Sequence, residues 1–333
     1  MSLDIEQELA KVRRLAPSIQ YVTVISCVPA MVRFNITMSK MKVVDLCLQF
    51  PSNYPSELLL IEVKTKTLSD KFTDSIMKKI ESSKDELICG QQILPLLRMV
   101  ILFIEQNPLC VCVDEISTIK QRFDSSDSLK IRQKSSQIVL FISKDDYHIE
   151  AKVTIPHEEY PLRQVETEII SCNFPSNFIR HFLGQATEIA RQCTQPSAVR
   201  KLKKGKLKPQ LPFVPKPSLL PVAEFLISSV RRYATENCSL CQTKAFPIDT
   251  NKIVTDENSD RFIERVYCSH IFHHRCIDEY MKTPPFTGGK KCPGCQNVIY
   301  HDKWRASEQI REQCWAHQQA KQRELEEVED FLS

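Results

Sequence analysis

The stretch CSHIFHHRC occupies residues 268–276 and places two cysteines and three histidines within nine positions. It lies between two Cys-x2-Cys pairs, CSLC at 238–241 and CPGC at 292–295. Zinc favours tetrahedral sites of thiolate sulfur and imidazole nitrogen, and a two-residue gap lets one tight turn direct both cysteines at the same ion. A redox Cys-x-x-Cys needs one pair and no histidines, so the series predicts two bound zinc ions. The predicted metal ligands are Cys238, Cys241, Cys268, His270, His273, Cys276, Cys292 and Cys295.

The order of these ligands resembles a RING finger of the two-histidine kind. That family binds its two ions in a cross-brace, and on this spacing His273 is a ligand whereas the adjacent His274 is not. Because all eight coordination positions are filled by the protein, the resemblance implies two structural zinc ions rather than Lewis acids. It implies one site from Cys238, Cys241, His273 and Cys276 and another from Cys268, His270, Cys292 and Cys295.

RING fingers act as ubiquitin ligases by docking a ubiquitin-conjugating enzyme that carries ubiquitin as a thioester. The resemblance implies that Leu240, Tyr280 and Pro293 form the docking surface. For Leu240 and Tyr280 the alternative role is packing inside the finger, because a small core also needs apolar residues. Gln296 follows the last cysteine, where many active RING fingers have the Arg or Lys that contacts the donor ubiquitin. No catalytic residue that forms a covalent intermediate is expected.

A repeated pattern precedes the Cys/His series. VRFNITMSKMKVVDLCLQFPSNYP (32–55) and IVLFISKDDYHIEAKVTIPHEEYP (138–161) each read as a strand, a polar turn, a second strand and a segment that ends in Tyr-Pro. Helix-like apolar segments with a Leu-Pro pair follow at 93–107 and 219–237. Alternation predicts the inward-facing residues of the two second strands. These are Val44, Leu46, Leu48 and Phe50 in the first copy, and Ile149, Ala151, Val153 and Ile155 in the second.

This layout of an amphipathic helix, DIEQELAKVRRL (4–15), a strand meander, a Tyr-Pro turn and closing helices resembles the RWD domain. FPSNYPSELL (50–59) is similar to the family signature Y-P-x-x-x-P, with Leu59 in place of the last proline. RWD domains look like the core of ubiquitin-conjugating enzymes without the catalytic cysteine, and they bind other proteins. The expected fold class is α+β, with a first RWD-like domain at 1–110, a second at 111–237, a cross-braced RING finger at 238–300 and a C-terminal helical tail at 301–333.

The second copy carries a basic, proline-rich insertion at about 196–217. Between Pro196 and Ala223 there are seven basic residues, six prolines and no acidic residue, although the net charge of the chain is only +4. Proline fixes the backbone and clustered like charges repel, so we expect an extended, solvated loop inside the second domain. A nuclear-import signal or a nucleic-acid contact through 200–216 is the alternative.

Composition excludes several other classes of protein. No apolar run approaches the ~18–20 residues needed to span a bilayer, and MSLDIEQELAKVRRLAP (1–17) contains no signal core. We therefore expect a cytoplasmic or nuclear location, no membrane partner, and reduced thiols rather than disulfides. The cysteines outside the metal series are expected to be small buried residues. They include Cys27, Cys47, Cys89 and Cys193.

Together these patterns resemble an RWD-RING ubiquitin ligase. The finger is expected to recruit a ubiquitin-charged conjugating enzyme, while the RWD-like domains bind a protein substrate or complex subunits. A non-catalytic adaptor with the same modules is the alternative. PHD chromatin readers have cysteine as the fourth ligand, where this chain has His270, so that class is disfavoured. The tail is predicted to be helical, with a thin apolar stripe of Ile310, Cys314, Leu325, Val328 and Leu332.

Overall fold

A computed structural model describes residues 2–88, 90–196, 213–304 and 307–332. The chain combines helices with two four-stranded sheets and one two-stranded sheet. The first sheet has the order β1-β2-β3-β4, and each neighbouring pair in it is antiparallel. Its elements and the helices around it are α1 (Ser2–Leu15), β1 (Val22–Val28), β2 (Met31–Ser39), β3 (Lys42–Gln49), β4 (Leu60–Lys64), α2 (Asp70–Ser82), α3 (Lys84–Leu87) and α4 (Ile93–Gln106).

Alternation in the two central strands builds the core of this first region. Three alternating residues in each of β2 and β3 are fully buried and share one apolar cluster with residues of α1, α2 and α4. Removing such side chains from water stabilises the fold by roughly 1.5–3 kcal/mol each. Phe50 lies just beyond β3 and is only half-buried, so the predicted inward face ends at Leu48. The fully buried residues of the two strands are Val32, Phe34, Ile36, Val44, Leu46 and Leu48.

The second sheet repeats this strand order as β5-β6-β7-β8. Its predicted inward residues Ile149, Ala151, Val153 and Ile155 are all buried. The amide of Lys216 donates to the carbonyl of Cys193, 2.8 Å away, so the two flanks of the basic insertion meet. Most of the insertion, 197–212, lies outside the described residues. The elements are α5 (Val113–Arg122), β5 (Ser128–Arg132), β6 (Gln137–Lys144), β7 (Tyr147–Thr154), β8 (Glu166–Cys172), α6 (Ser176–Thr194) and α7 (Leu219–Thr235).

The tyrosine of the first Tyr-Pro pair caps a helix with the help of a glutamate. The Tyr54 hydroxyl donates to the Glu8 carboxylate and accepts from the amide of Gln92 at 3.4 Å. The same carboxylate accepts from the amide of Ile93 at 2.7 Å. The first amides of a helix have no partner within the helix. Glu8 therefore satisfies the amide of Ile93, the first residue of α4, and Tyr54 that of Gln92 just before it, in a buried position.

The second Tyr-Pro pair makes a similar arrangement. The Tyr160 hydroxyl donates to Glu115 and accepts from the amides of Ser218 and Leu219, both at 3.0 Å. Glu115 also accepts from the amide of Leu220 at 2.8 Å. In both repeats, the helix before the sheet supplies a glutamate and a cis Tyr-Pro pair supplies a tyrosine. Together they cap α4 in the first repeat and α7 in the second.

The chain divides into two compact units. The first comprises Met1–Ile142, Glu150–Ser171 and His181–Ile227. The second comprises Ser143–Ile149, Cys172–Arg180 and Ser228–Ser333, so it joins the Cys/His region to short pieces of the second repeat. An aromatic cluster lies inside this second unit and brings those pieces together. Its members are Tyr147, Phe174, Phe178, Tyr233 and Phe246.

The predicted C-terminal helix is present as α9 (Glu308–Leu332), on which Ile310, Cys314 and Leu325 are exposed. Of the other scattered cysteines, Cys47 is buried, Cys27 and Cys193 are half-buried, and Cys89 lies outside the described residues.

Within the described chain, no helix by itself has the length and apolar character to cross a bilayer. One bent pair, Ile93–Gln106 with Pro108–Arg122, meets that criterion jointly, by length and composition only.

Candidate metal centre

The Cys/His module, residues 238–300, is built on a short hairpin and one helix. β9 (Ile263–Arg265) pairs antiparallel with β10 (Ile271–His273), and α8 (His274–Lys282) follows at once. The apolar cluster at its centre is small and includes two of the cysteines. Its buried members are Cys238, Val266, Phe272, Ile277, Met281, Cys292 and Ile299.

Both Cys-x-x-Cys segments fold into the same tight turn. The amide of Gln242 donates to the carbonyl of Cys238, and the amide of Gln296 donates to that of Cys292, each at 2.8 Å. Both glutamines have φ of 61°, in the left-handed region that reverses the chain after a short turn. Gln296, singled out by its place after the last cysteine, therefore has the backbone role that Gln242 has in the first turn.

The structure brings the eight predicted ligands together in two groups of four, and within each group the candidate ligand atoms lie within 4.8 Å of one another. His273 Nδ1 is 3.3 Å from Cys241 Sγ, and His270 Nδ1 is 3.4 Å from Cys268 Sγ. Zinc–sulfur and zinc–nitrogen bonds in a tetrahedron separate neighbouring ligands by about 3.5 Å. Each group could therefore hold a metal ion. The groups are Cys238, Cys241, His273 and Cys276, and Cys268, His270, Cys292 and Cys295.

His274, the histidine excluded by spacing, belongs to neither group. Its Nδ1 lies 2.9 Å from Glu264 Oε1.

Gly294 has a steric role that the sequence analysis missed. A Cβ atom at Gly294 would stand 2.7 Å from the ring of His270, closer than real contacts allow. The glycine therefore leaves room for a ligand, and its place inside CPGC is the sequence signal that could have indicated this.

The first group resists carrying its full negative charge without a cation. The pKa of His273 rises to about 9, mainly because the His273 ring hydrogen-bonds with Cys238. Burial opposes ionisation of Cys238, but hydrogen bonds from His273 and backbone amides lower its pKa to about 6. Burial and the charge of Cys238 raise the pKa of Cys276 to about 12. Cys238 thus ionises easily, whereas ionisation of Cys276 is opposed. A bound cation would favour the thiolate form of both cysteines.

Glu264 is a buried carboxylate that the sequence analysis did not find. It lies on β9 and holds Lys303 Nζ at 2.6 Å, His274 Nδ1 at 2.9 Å and His301 Nε2 at 3.4 Å. Burial opposes its charge, but these hydrogen bonds win and lower the pKa of Glu264 to about 2. Trp304 adds a bond from Nε1 to Asp278 on α8 at 3.0 Å. Residues 301–304 are therefore fastened to the module.

The three residues predicted to dock a conjugating enzyme are all half-buried. Leu240 and Tyr280 pack against the small apolar cluster of the module. The Tyr280 hydroxyl also donates to the carbonyl of Lys291 at 2.8 Å. Part of each side chain therefore supports the fold and part remains accessible, so packing and docking are both compatible with their positions. Gln296 is exposed.

Comparison with known proteins identifies one family. The RWD domain family matches residues 7–98, a range that begins within α1, includes the first sheet and ends within α4. No curated protein sequence matches the chain significantly. RWD domains are protein-interaction modules related in fold to ubiquitin-conjugating enzymes. Residues 7–98 of this chain are an RWD domain.

Proposed function

We propose that this chain is a RING-type ubiquitin ligase that recruits a ubiquitin-charged conjugating enzyme through the Cys/His module. The observation that carries the proposal is the grouping of the eight ligands, because it alternates along the chain as a RING cross-brace does. The proposed ions are two structural zinc ions, in keeping with three thiolates and one imidazole in each group. An RWD domain in the same chain supports a role in the ubiquitin pathway.

The second four-stranded sheet is proposed to belong to a second RWD-like domain. It shares strand order, a Tyr-Pro pair and the glutamate-tyrosine helix cap with the first repeat. Two such domains before a RING finger are similar to the architecture of the Fanconi anaemia ubiquitin ligase subunit L. In this proposal, the two domains bind a protein substrate or the other subunits of a complex.

A non-catalytic adaptor in a ligase complex is the second candidate. It is favoured by Gln296, which is exposed at the position where many active RING fingers carry a cation. It is also favoured by the packing of Leu240 and Tyr280 within the module. The two candidates differ in one measurable property, which is transfer of ubiquitin by the purified chain with a conjugating enzyme.

Leu240→Ala tests the ligase proposal in an autoubiquitination assay with a panel of conjugating enzymes. Loss of one apolar contact at an interface weakens binding by roughly 1.5–3 kcal/mol, and each 1.4 kcal/mol is about tenfold in affinity. Transfer should therefore fall at least tenfold, while metal content and thermal melting stay near wild type. Ile248→Ala is the matched control, because Ile248 is 74% exposed on the same module outside the predicted docking residues.

Three outcomes are informative. Selective loss of transfer in Leu240→Ala supports the ligase. Loss of metal or of the folded module in Leu240→Ala assigns Leu240 to packing, and Pro293→Ala then takes its place in the assay. Absence of transfer by the wild-type chain with every conjugating enzyme in the panel overturns the ligase proposal and leaves the adaptor.

A further inference from the structure

An open cavity of about 760 Å³ lies beside the second ligand group. Lys290, the segment 298–302 and Arg311 of α9 contribute to its lining. Lys290 is only 3% exposed, and its ammonium lies 4.5 Å from the centre of the Tyr280 ring and 5.6 Å from that of Phe286. Aromatic faces attract a cation but leave its N–H groups available to stronger acceptors.

The Lys290 ammonium makes no hydrogen bond or ion pair with any residue that the structure describes, although the backbone carbonyl of Lys290 accepts from the amide of Ile299. Buried charged groups are ordinarily paired, because desolvation of an unpaired charge is costly. Arg311 brings a second positive charge to the same cavity, and among the described lining residues Asp302 is the one carboxylate. The described lining residues therefore include two cations, Lys290 and Arg311, and one carboxylate, and the Lys290 ammonium lacks a hydrogen-bond acceptor among the described residues.

The rim of the cavity is apolar and aromatic. Tyr267 is 71% exposed and Tyr300 is 66% exposed, and Val298 also contributes to the lining. A polyphosphate would gain little from such a rim and would be repelled by Asp302. A peptide segment that places carboxylates next to large apolar side chains would use both the cations and the rim.

The chain itself contains such a segment at its C-terminal end. ELEEVEDFLS (324–333) has five acidic residues, four large apolar residues and no basic residue. Because α9 runs from Glu308 to Leu332, a rise of ~1.5 Å per residue carries Phe331 about 30 Å beyond Arg311. The segment is therefore out of reach of the cavity on its own chain. A second copy can supply it without unfolding α9.

We propose that this cavity is a self-association site that binds the acidic segment 324–333 of a second copy of the chain. Lys290 and Arg311 hold carboxylates of the segment, while Tyr267 and Tyr300 cover its apolar side chains. Two copies that exchange their segments form a closed, two-fold pair, in which every cavity is filled. This proposal does not depend on ligase activity.

The test is the oligomeric state of the full-length chain by sedimentation velocity over a range of concentrations. Lys290→Met keeps the buried stem and removes the charge, and Lys291→Met is the matched control at an exposed neighbour outside the cavity. Wild type and Lys291→Met should form the same reversible dimer, weaker at high salt. Lys290→Met should raise the dimer dissociation constant at least tenfold with unchanged metal content.

A mixing experiment identifies the occupant. A tail variant, with Glu326, Glu327 and Glu329 all changed to Gln, should not dimerise by itself. Mixed with Lys290→Met, it should form a heterodimer, because its intact cavity accepts the intact tail of the other chain. If Lys290→Met loses metal, Arg311→Gln on α9 replaces it. A monomeric wild type at every concentration, or a dimer that survives both cavity and tail variants, overturns the proposal.

Discussion

The RWD domain and the Cys/His module are held together by different means. In the first region, 24 buried residues, nearly all apolar, form one core around β2, β3 and α4. In the module the corresponding cluster has seven buried residues, and two of these are candidate ligands. A core of that size rarely stabilises a fold without a metal or disulfide. The comparison teaches that the same chain has a large apolar core in one region and, in the other, a small apolar cluster beside two groups of candidate metal ligands.

Removal of metal should give the largest difference in stability between the two regions. A chelator is expected to unfold the Cys/His module, because structural zinc contributes roughly 10–16 kcal/mol of binding energy to such modules. The RWD domain has no predicted ligand and should stay folded. Hydrogen exchange by mass spectrometry should show loss of protection in β9, β10 and α8 only. Unchanged protection of α8 after metal loss would contradict this division.

The neighbouring histidines test the ligand assignment at single-residue scale. His273→Ala should reduce the metal content by one ion per chain and destabilise the module by several kcal/mol, since a coordination bond is lost. His274→Ala is the matched variant. It removes the contact with Glu264 and the ring contact with Trp304, but it should keep both ions, with a loss of about 1–2 kcal/mol. Native mass spectrometry counts the ions. Equal metal loss in both variants would be inconsistent with the proposed ligand set.

Tyr54 and Tyr160, the tyrosines of the two Tyr-Pro pairs, allow the stability of the two repeats to be compared. Among the hydrogen bonds described above, Tyr160→Phe removes those to the Glu115 carboxyl and two amides, whereas Tyr54→Phe removes those to Glu8 and one amide. Unsatisfied buried groups destabilise by about 1–3 kcal/mol each, so we expect about 2–4 kcal/mol for Tyr160→Phe and about 1–2 kcal/mol for Tyr54→Phe. Urea denaturation measures both. The reverse order would mean that the additional amide contact is energetically negligible.

The smallest effect expected is a pH dependence from Glu115. Burial raises its pKa, and hydrogen bonds from Tyr160 and from the amides of Leu219 and Leu220 only partly oppose this. Because the folded pKa exceeds the unfolded value of about 4.3, the contribution of Glu115 is fully present below that pH and is lost as pH rises through the folded pKa. Glu115→Gln should not show this loss. A difference in stability between wild type and Glu115→Gln that stays constant as pH rises from about 4.3 through the folded pKa would refute this role of Glu115.

The sequence was a good guide wherever a local period or spacing determined the outcome. Alternation identified the buried face of β3 up to Leu48 and that of β7, because a strand turns successive side chains to opposite faces. The grouping of the cysteines and histidines agrees with the cross-brace that the RING resemblance implied. The Tyr-Pro pairs marked the repeat, but the pattern did not indicate that their hydroxyls form hydrogen bonds with a buried glutamate.

Contacts between distant residues could not be predicted in this way. The burial of Glu264 depends on residues 301–304, and that of Lys290 depends on the rings of Tyr280 and Phe286. No local pattern records such pairings. The glutamate-tyrosine caps left one usable signal, since Glu8 precedes Tyr54 by 46 residues and Glu115 precedes Tyr160 by 45. A search of the repeat for acids at matching offsets would have found them.

The position of Trp304 has an optical consequence. The chain has two tryptophans, Trp304 and Trp315, and both follow the last candidate ligand in sequence. Trp304 is fixed by Asp278 and lies beside the rings of His301 and His274. Selective excitation of indole therefore reports only on the Cys/His module and α9. Tyrosine emission, by contrast, arises from both repeats as well. One sample can thus display the unfolding of the two regions as separate fluorescence transitions, without any attached label.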